Sequence, residues 1–239
     1  MAAGRLNQRT QACVAVIGPT DDPEFVGRAG GYGLGVTSGE FDVLAVLKPG
    51  GAFHVDYLAL FEACDRAHIN LSFARALEGE WSWLYERETD GVRDLRATTI
   101  GNFTWLFDAT DSPQRWEADN RLIGVYGTSS RPGGSRDRSR LAGFPSPDRH
   151  SPGRVHRGHA AAHSLGGPDE GYNLFAQNAA VNLSREWRSL ERYCAARPGT
   201  FMFVRAVYLD ISSTPAALEY GLISHDGSLD VHQFDNRVK

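Results

Sequence analysis

The last forty residues of the chain restrict its fold most, because they carry the pattern of successive antiparallel strands. Residues 200–211 are rich in alternating β-branched and aromatic side chains, which predicts a strand. Residues 218–224 and 229–234 flank the turn Asp226-Gly227, a spacing typical of a β-hairpin. Because such short connections join antiparallel neighbours, the chain is expected to end in a largely antiparallel sheet.

The rest of the chain adds strands and two helical segments to this sheet. Residues 55–77 allow a long amphipathic helix, broken near Asn70. The sequence around Thr89-Asp90-Gly91 is typical of a hairpin, and tryptophans 81, 83, 105 and 116 are expected to pack in the core. In the second half of the chain the predicted strands surround a single helix, and this arrangement predicts the α+β class. The further predicted strands are 12–17, 41–47, 80–88, 92–99, 103–107 and 122–126.

One segment combines residue types suited to hydrolysis of a phosphodiester. It begins with Arg157-Gly158-His159 and continues through a Gly-Gly-Pro loop into a helix-like stretch. An imidazole can accept a proton from water near neutral pH. A Mg²⁺ ion keeps several waters and needs only one or two protein oxygens, which an amide can supply. The segment is rich in such amides: Asn173, Gln177, Asn178 and Asn182.

The order of these residues resembles the DNA/RNA non-specific endonuclease family, a group of ββα-metal nucleases. The resemblance is centred on residues 154–193 and comprises Arg-Gly-His, a Gly-Gly loop, Asn-Leu-x-x-Gln, Val-Asn and Trp-x-x-x-Glu. It implies a ββα-metal motif supported by the mostly antiparallel sheet of the α+β fold already predicted from the strands. The N-terminal residues carry no such resemblance, and we expect them to form a helix/strand accessory layer. Residues 91–239 would form the nuclease-like domain and 1–90 an accessory region of unknown role, or both would form one continuous domain.

The resemblance also implies roles for individual residues. His159 would be the general base and Asn182 the one protein ligand of Mg²⁺ or Mn²⁺. Arg157 would contact the scissile phosphate, while Asn173 and Glu191 would orient neighbouring groups or metal-bound water. We further expect three arginines of the preceding loop to bind substrate phosphates: Arg131, Arg136 and Arg154.

The sequence departs from the family pattern at three points. His156 stands where the family has aspartate, the proline of Asn-x-x-Pro-Gln is missing, and one extra residue separates Asn182 from Trp187. On one continuous helix Glu186 would share a face with Asn182, whereas Glu191 would lie on the opposite side. Either the helix begins after Asn182 or Glu186 has taken the supporting role. A zinc pair of His159 with His163 lacks a third ligand in a tight motif.

Charge and cysteine usage set wider limits. The net charge is −4, but between Arg121 and Arg157, both included, eight arginines face two aspartates. This stretch is either a solvated loop or a docking region for a polyanion.

Three widely spaced cysteines, with no Cys-x-x-Cys, suggest neither disulfides nor zinc. No signal peptide or membrane span is evident, so we expect cytoplasmic synthesis, with export by a signal-independent route left open.

These observations predict a metal-dependent endonuclease that cuts DNA, with RNA as a further candidate substrate. Such an enzyme would endanger its own cell, so we also expect a toxin, effector or defence role and an inhibitor or immunity protein as partner. The alternative is a module that binds nucleic acid or protein and keeps the nuclease fold without catalysis.

Overall fold

A computed structural model describes residues 42–89, 93–110, 121–134, 154–209 and 213–238. Its main element is a six-stranded sheet in the order β1-β2-β3-β6-β7-β8, in which every neighbouring pair is antiparallel. The α+β class and the mostly antiparallel sheet are therefore confirmed. The strands are β1 (Leu95–Ile100), β2 (Phe103–Asp108), β3 (Arg121–Thr128), β6 (Phe201–Val207), β7 (Ala217–Ile223) and β8 (Leu229–Asp235).

Two helices cover one face of this sheet, α1 (Tyr57–Glu62) and α2 (Ile69–Glu88). The buried residues of α2 recur at helical spacing, and its Trp81 ring packs on Tyr126 and Phe203 of the sheet. The predicted strand 80–88 is therefore wrong. Its alternation of aromatic and polar residues began in the middle of a helical pattern formed by Phe73, Leu77, Trp81, Leu84 and Tyr85.

The predicted strand 41–47 is also wrong where the structure describes it. Val43–Leu47 is a 3₁₀ helix, with the Asp42 side chain accepting a hydrogen bond from the backbone N–H of Leu44. An aspartate that caps a helix start favours this structure over a strand, and short apolar runs do not distinguish the two by periodicity. Val43 and Leu47 pack on Val207 and Ala217 in a small second core.

A polar network lies inside the interface between the helices and the sheet. Glu219 accepts hydrogen bonds from Tyr57 at 2.5 Å, from Arg205 at 3.0 Å and from Gln233 at 3.1 Å. Burial, followed by the charge of Glu219, raises the pKa of Tyr57 well above its ordinary value, so the phenol stays protonated and can donate. These bonds compensate the desolvation of the Arg205–Glu219 ion pair.

The opposite face carries a β-hairpin followed by a helix. The hairpin consists of β4 (Val155–His159) and β5 (Leu174–Asn178), and α3 (Ala179–Asn182) and α4 (Arg185–Ala196) follow it. Trp187 of α4 anchors this layer, because its ring packs edge-on against Phe175, Tyr220 and Phe234. The hairpin and α4 therefore share a core with the sheet.

Most of the remaining strand predictions are confirmed within the described residues. Strands β2, β3, β6, β7 and β8 lie where the patterns place them, and Trp105 is fully buried. Trp83 is 53% exposed, so its predicted core position is wrong. Strand 12–17 and Trp116 lie outside the described residues. No helix in the described ranges is long and apolar enough to cross a membrane.

Candidate functional site

The β4–β5 hairpin fixes Arg157 and His159 on one short strand. Arg157 pairs with Ala176 and His159 with Leu174 in the antiparallel register. Between them, a Cβ on Gly158 would collide with the side chain of Gln177, which lies across the strand. A glycine is therefore required at this close approach. Arg157 is exposed, whereas His159 is 9% exposed at the end of the strand.

Asn173 holds the loop that follows His159. Its Oδ1 accepts hydrogen bonds from Trp105 Nε1 at 3.1 Å and from the Ala161 N–H at 2.9 Å. Its Nδ2 donates to the carbonyl oxygens of Ala161 at 2.7 Å and Pro168 at 2.8 Å. The side chain is fully buried and uses both donors and both acceptor positions within the protein. The structure thus places Asn173 beneath the site, as a brace for the loop.

The same loop also brings the carboxylate of Asp169 close to His159 and His163. Asp169 is 8% exposed, and its oxygens lie 3.3 Å from Nε2 of His159 and 3.3 Å from Nδ1 of His163. Gly166, with φ of +85°, allows the tight turn that makes this return. A buried carboxylate this close to both imidazoles limits the orientation of the two rings. Asp169 was not predicted from the sequence.

The helix is interrupted between Asn182 and Trp187, so the structure shows the first of the two alternatives for the spacing, a helix that begins after Asn182. Helix α3 ends at Asn182, and Ser184 caps the start of α4 by accepting a hydrogen bond from the Trp187 N–H at 3.1 Å. The extra residue is therefore taken up by the break. Glu191 then faces the site and accepts a hydrogen bond from Trp187 Nε1 at 3.0 Å. Glu186 lies 2.7 Å from His232 and is not in the lining of the site.

Asn182 is held by the residue that departs from the family pattern. Its Nδ2 lies 2.9 Å from Nδ1 of His156. An amide nitrogen only donates hydrogen bonds, so Nδ1 of His156 accepts in this arrangement. The Oδ1 atom of Asn182 is then the part of the amide left to serve another partner.

These elements enclose a pocket of about 370 Å³, here called the hairpin–helix pocket. The structure therefore brings four of the predicted site residues, Arg157, His159, Asn182 and Glu191, to one concave surface. The other polar side chains of the lining are those of Ser164 and Arg188, which the sequence did not single out, and of His163, which the sequence offered only as a partner of His159 in a zinc pair.

Of the three loop arginines predicted to bind substrate phosphates, the two that the structure describes are not among the residues that line this pocket. Arg131 and Arg154 are exposed, and Arg154 lines a separate depression with Arg237 rather than the hairpin–helix pocket. Arg136 lies outside the described residues.

Cys194 is buried, and this burial raises the pKa of its thiol to about 11, which keeps it protonated at neutral pH. A nucleophilic role for Cys194 is therefore unsupported.

The pocket offers oxygen atoms of the kind that bind a hydrated hard cation. Asn182 can offer one amide oxygen, and Glu191 offers a carboxylate on the same surface. A volume of about 370 Å³ accommodates several waters at about 30 Å³ each. Within the described ranges, no group of three histidine, cysteine or acidic side chains is arranged to hold a metal. A site built on one amide and water does not require such a group.

Comparison with known proteins gives limited likenesses. No protein-family model matches the chain, and no curated protein matches it. Among solved structures it is similar to Sda1 nuclease with a bound zinc ion, at 21% identity and a TM-score of 0.32 over 36% of this chain and 39% of that one. It is also similar to an extracellular nuclease, at 18% identity and a TM-score of 0.32 over 61% of this chain and 90% of that one.

A third similar structure is an extracellular endonuclease, at 14% identity and a TM-score of 0.31 over 63% of this chain and 81% of that one. The chain thus spans well under half the length of the Sda1 structure. TM-scores of this size do not establish a shared fold. What the site can do is therefore argued from its own geometry.

Proposed function

We propose that the protein is a divalent-metal-dependent endonuclease that hydrolyses phosphodiester bonds of DNA, with RNA as a second substrate class. The observation that carries the proposal is the convergence of Arg157, His159, Asn182 and Glu191 on the hairpin–helix pocket. An imidazole, a guanidinium and an amide oxygen around one cavity are the groups that such hydrolysis needs.

Each side chain has a step that its chemistry allows. His159 takes a proton from the attacking water, and the nearby Asp169 carboxylate stabilises the imidazolium that results. Arg157, exposed at the pocket, contacts phosphate oxygens through its planar guanidinium. Glu191 and Asn182 would hold a Mg²⁺ or Mn²⁺ ion and its waters. When bound, that ion supplies stabilisation of charge on the phosphate and on the leaving oxygen.

The test is digestion of supercoiled plasmid and total RNA with Mg²⁺, with Mn²⁺ or with EDTA, and His159→Ala run beside the wild type. We expect degradation by the wild type only with metal, and a loss of at least about a hundredfold in the variant. Equal activity of both proteins would show that the base lies elsewhere. If neither protein cuts but both bind DNA without regard to metal, the non-catalytic binding module is the better description.

An unregulated nuclease inside a cell degrades that cell's own nucleic acid. We therefore also propose a toxin, effector or defence role with a protein inhibitor as partner. Expression of the wild type and of His159→Ala in the same host tests this. Growth arrest with the wild type alone is expected, whereas harmless accumulation of active wild-type protein would contradict the role.

A further inference from the structure

Three arginines of α4 form an exposed row beside the hairpin–helix pocket. Arg185, Arg188 and Arg192 are all exposed, and Arg188 also lines the pocket. At 3.6 residues per turn, Arg185 and Arg192 lie within about 20° of each other around the helix, and Arg188 lies about 60° from Arg185. The three positions, here called the arginine ridge, therefore run along one side of α4.

The two glutamates of α4 have partners other than the arginines of the ridge. Glu186 contacts His232 at 2.7 Å on one flank of the helix, and Glu191 accepts a hydrogen bond from Trp187 at 3.0 Å. No ion pair involves a member of the arginine ridge within the part of the chain that the structure describes. Three guanidinium groups left in water along one helix face make a surface that suits a polyanion.

The dimensions of the ridge fit successive phosphates. Arg192 lies seven positions after Arg185, which corresponds to about 10 Å along the helix axis. One strand of a DNA duplex presents a phosphate every ~3.4 Å along its axis, so this length spans about three phosphate steps. Arg188 joins the ridge to the pocket, so one nucleic acid backbone can occupy both.

We propose that the arginine ridge is the docking surface for the phosphate backbone of a polynucleotide whose scissile bond lies in the hairpin–helix pocket. The inference rests on the proposed function and extends it from a single phosphodiester to several consecutive nucleotides. Because guanidinium–phosphate contacts carry no base information, the ridge binds without sequence preference.

Binding is measured in the His159→Ala protein with EDTA present, so that the DNA stays intact. The probe is a fluorescein-labelled duplex longer than the ridge, titrated over a series of sodium chloride concentrations. Arg185→Gln with Arg192→Gln should reduce the slope of log affinity against log salt by about 2, since each lost phosphate contact removes about 0.9. A second duplex of unrelated sequence should show the same loss.

The matched control is Arg66→Gln with Arg75→Gln, which changes the net charge equally. Both arginines are exposed, and Arg75 lies on α2, which covers the other face of the sheet. The control should keep the parent slope. If the ridge variant and the control have the same slope, or the parent does not bind DNA, the proposal is overturned.

This result is separate from that of the digestion experiment. If the protein cuts no nucleic acid but its binding depends on the ridge, the proposed hydrolysis is wrong and the proposed role of the ridge stands. Cleavage by a protein whose binding does not depend on the ridge would do the reverse.

Discussion

The residues of the pocket are positioned by two side chains, and neither of these two needs to touch the substrate. Asn173 joins the loop after His159 to Trp105 of the sheet, and His156 holds the amide of Asn182. Both act through hydrogen bonds that the amide group makes in a fixed orientation. At the residue scale, the site therefore depends on two amides whose surroundings fix which way they face.

Replacement of Asn173 by alanine should destabilise the protein and disable it. The change leaves four polar groups, three of them buried and one part-buried, without their partner, each buried one at a cost of about 1–3 kcal/mol before relaxation. We expect a loss of roughly 3–5 kcal/mol in the free energy of unfolding, measured by urea denaturation. Asn70→Ala, at an exposed position, is the control and should change little. A stable, fully active Asn173→Ala would show that the loop needs no brace.

Replacement of His156 should act on metal affinity. In His156→Ala the amide of Asn182, the proposed metal ligand, loses its partner, and the loss of a group that orients a ligand costs about 10–100-fold in metal affinity. The Mg²⁺ concentration for half-maximal cleavage should rise accordingly, with activity largely restored at saturating Mg²⁺. His156→Asp keeps an acceptor for Nδ2 and should stay near wild type. Equal metal dependence in all three proteins would contradict the positioning role.

At the element scale, α4 is the link between the site and the sheet. Its buried face carries Trp187, Leu190 and Cys194, and one flank carries the ridge. On the other flank Glu186 contacts His232 of β8, whose Nε2 lies 3.1 Å from Asp230. Burial tends to lower the pKa of His232, but its hydrogen bonds to the two carboxylates outweigh it and leave this pKa raised.

Because this pKa is raised, the contact of His232 on β8 with Glu186 on α4 should stabilise the fold in a pH-dependent way. A group whose pKa is higher in the folded state adds stability below its unfolded pKa of about 6.5 and loses that contribution as pH rises through the folded value. The stability difference between wild type and His232→Gln should therefore be larger at about pH 5.5 than at about pH 8.5. Urea denaturation of both proteins at each pH measures it. A difference that grows with pH would contradict the assignment.

The elements that the sequence predicted correctly are those whose pattern is local. The hairpin of β7 and β8 has its turn at Asp226-Gly227 between two apolar runs, so neighbouring residues determine it. The predicted strand at 80–88 failed because alternation over nine residues can also occur within an amphipathic helix, and only Phe73 and Leu77 upstream reveal the helical period.

The same distinction applies to the site. His159, Asn182 and Glu191 could be proposed because their order in the chain resembles a known pattern, and the structure brings them to one pocket. The contacts of Asp169 with His159 and His163 arise from a loop closed by Asn173, which no local pattern specifies. Contacts made across a loop depend on tertiary packing, so the role of Asp169 could not be inferred from the local pattern.

At the scale of the whole described unit, the sheet separates two layers with different tasks. Side chains alternate between its faces, so Arg205 and Glu219 face α1 while their neighbours Val204 and Tyr220 face the hairpin and α4. The helical layer supplies buried aromatic area, whereas the other layer supplies the pocket. Stability and chemistry should therefore be separable by mutation.

Trp81→Leu tests this separation. The Trp81 ring is fully buried on the α2 side, where it packs on Phe203 and donates a hydrogen bond to Tyr57. Its loss should reduce the free energy of unfolding by about 2–4 kcal/mol, because the smaller side chain leaves a cavity. The pocket lies beyond the sheet, so cleavage rate per folded molecule and Mg²⁺ dependence should match the wild type under conditions where both proteins stay folded. Urea denaturation gives the first quantity, and plasmid cleavage normalised to the folded fraction gives the second. A fall in cleavage rate without unfolding would show instead that packing of α2 is transmitted through the sheet to His159 and Asn182.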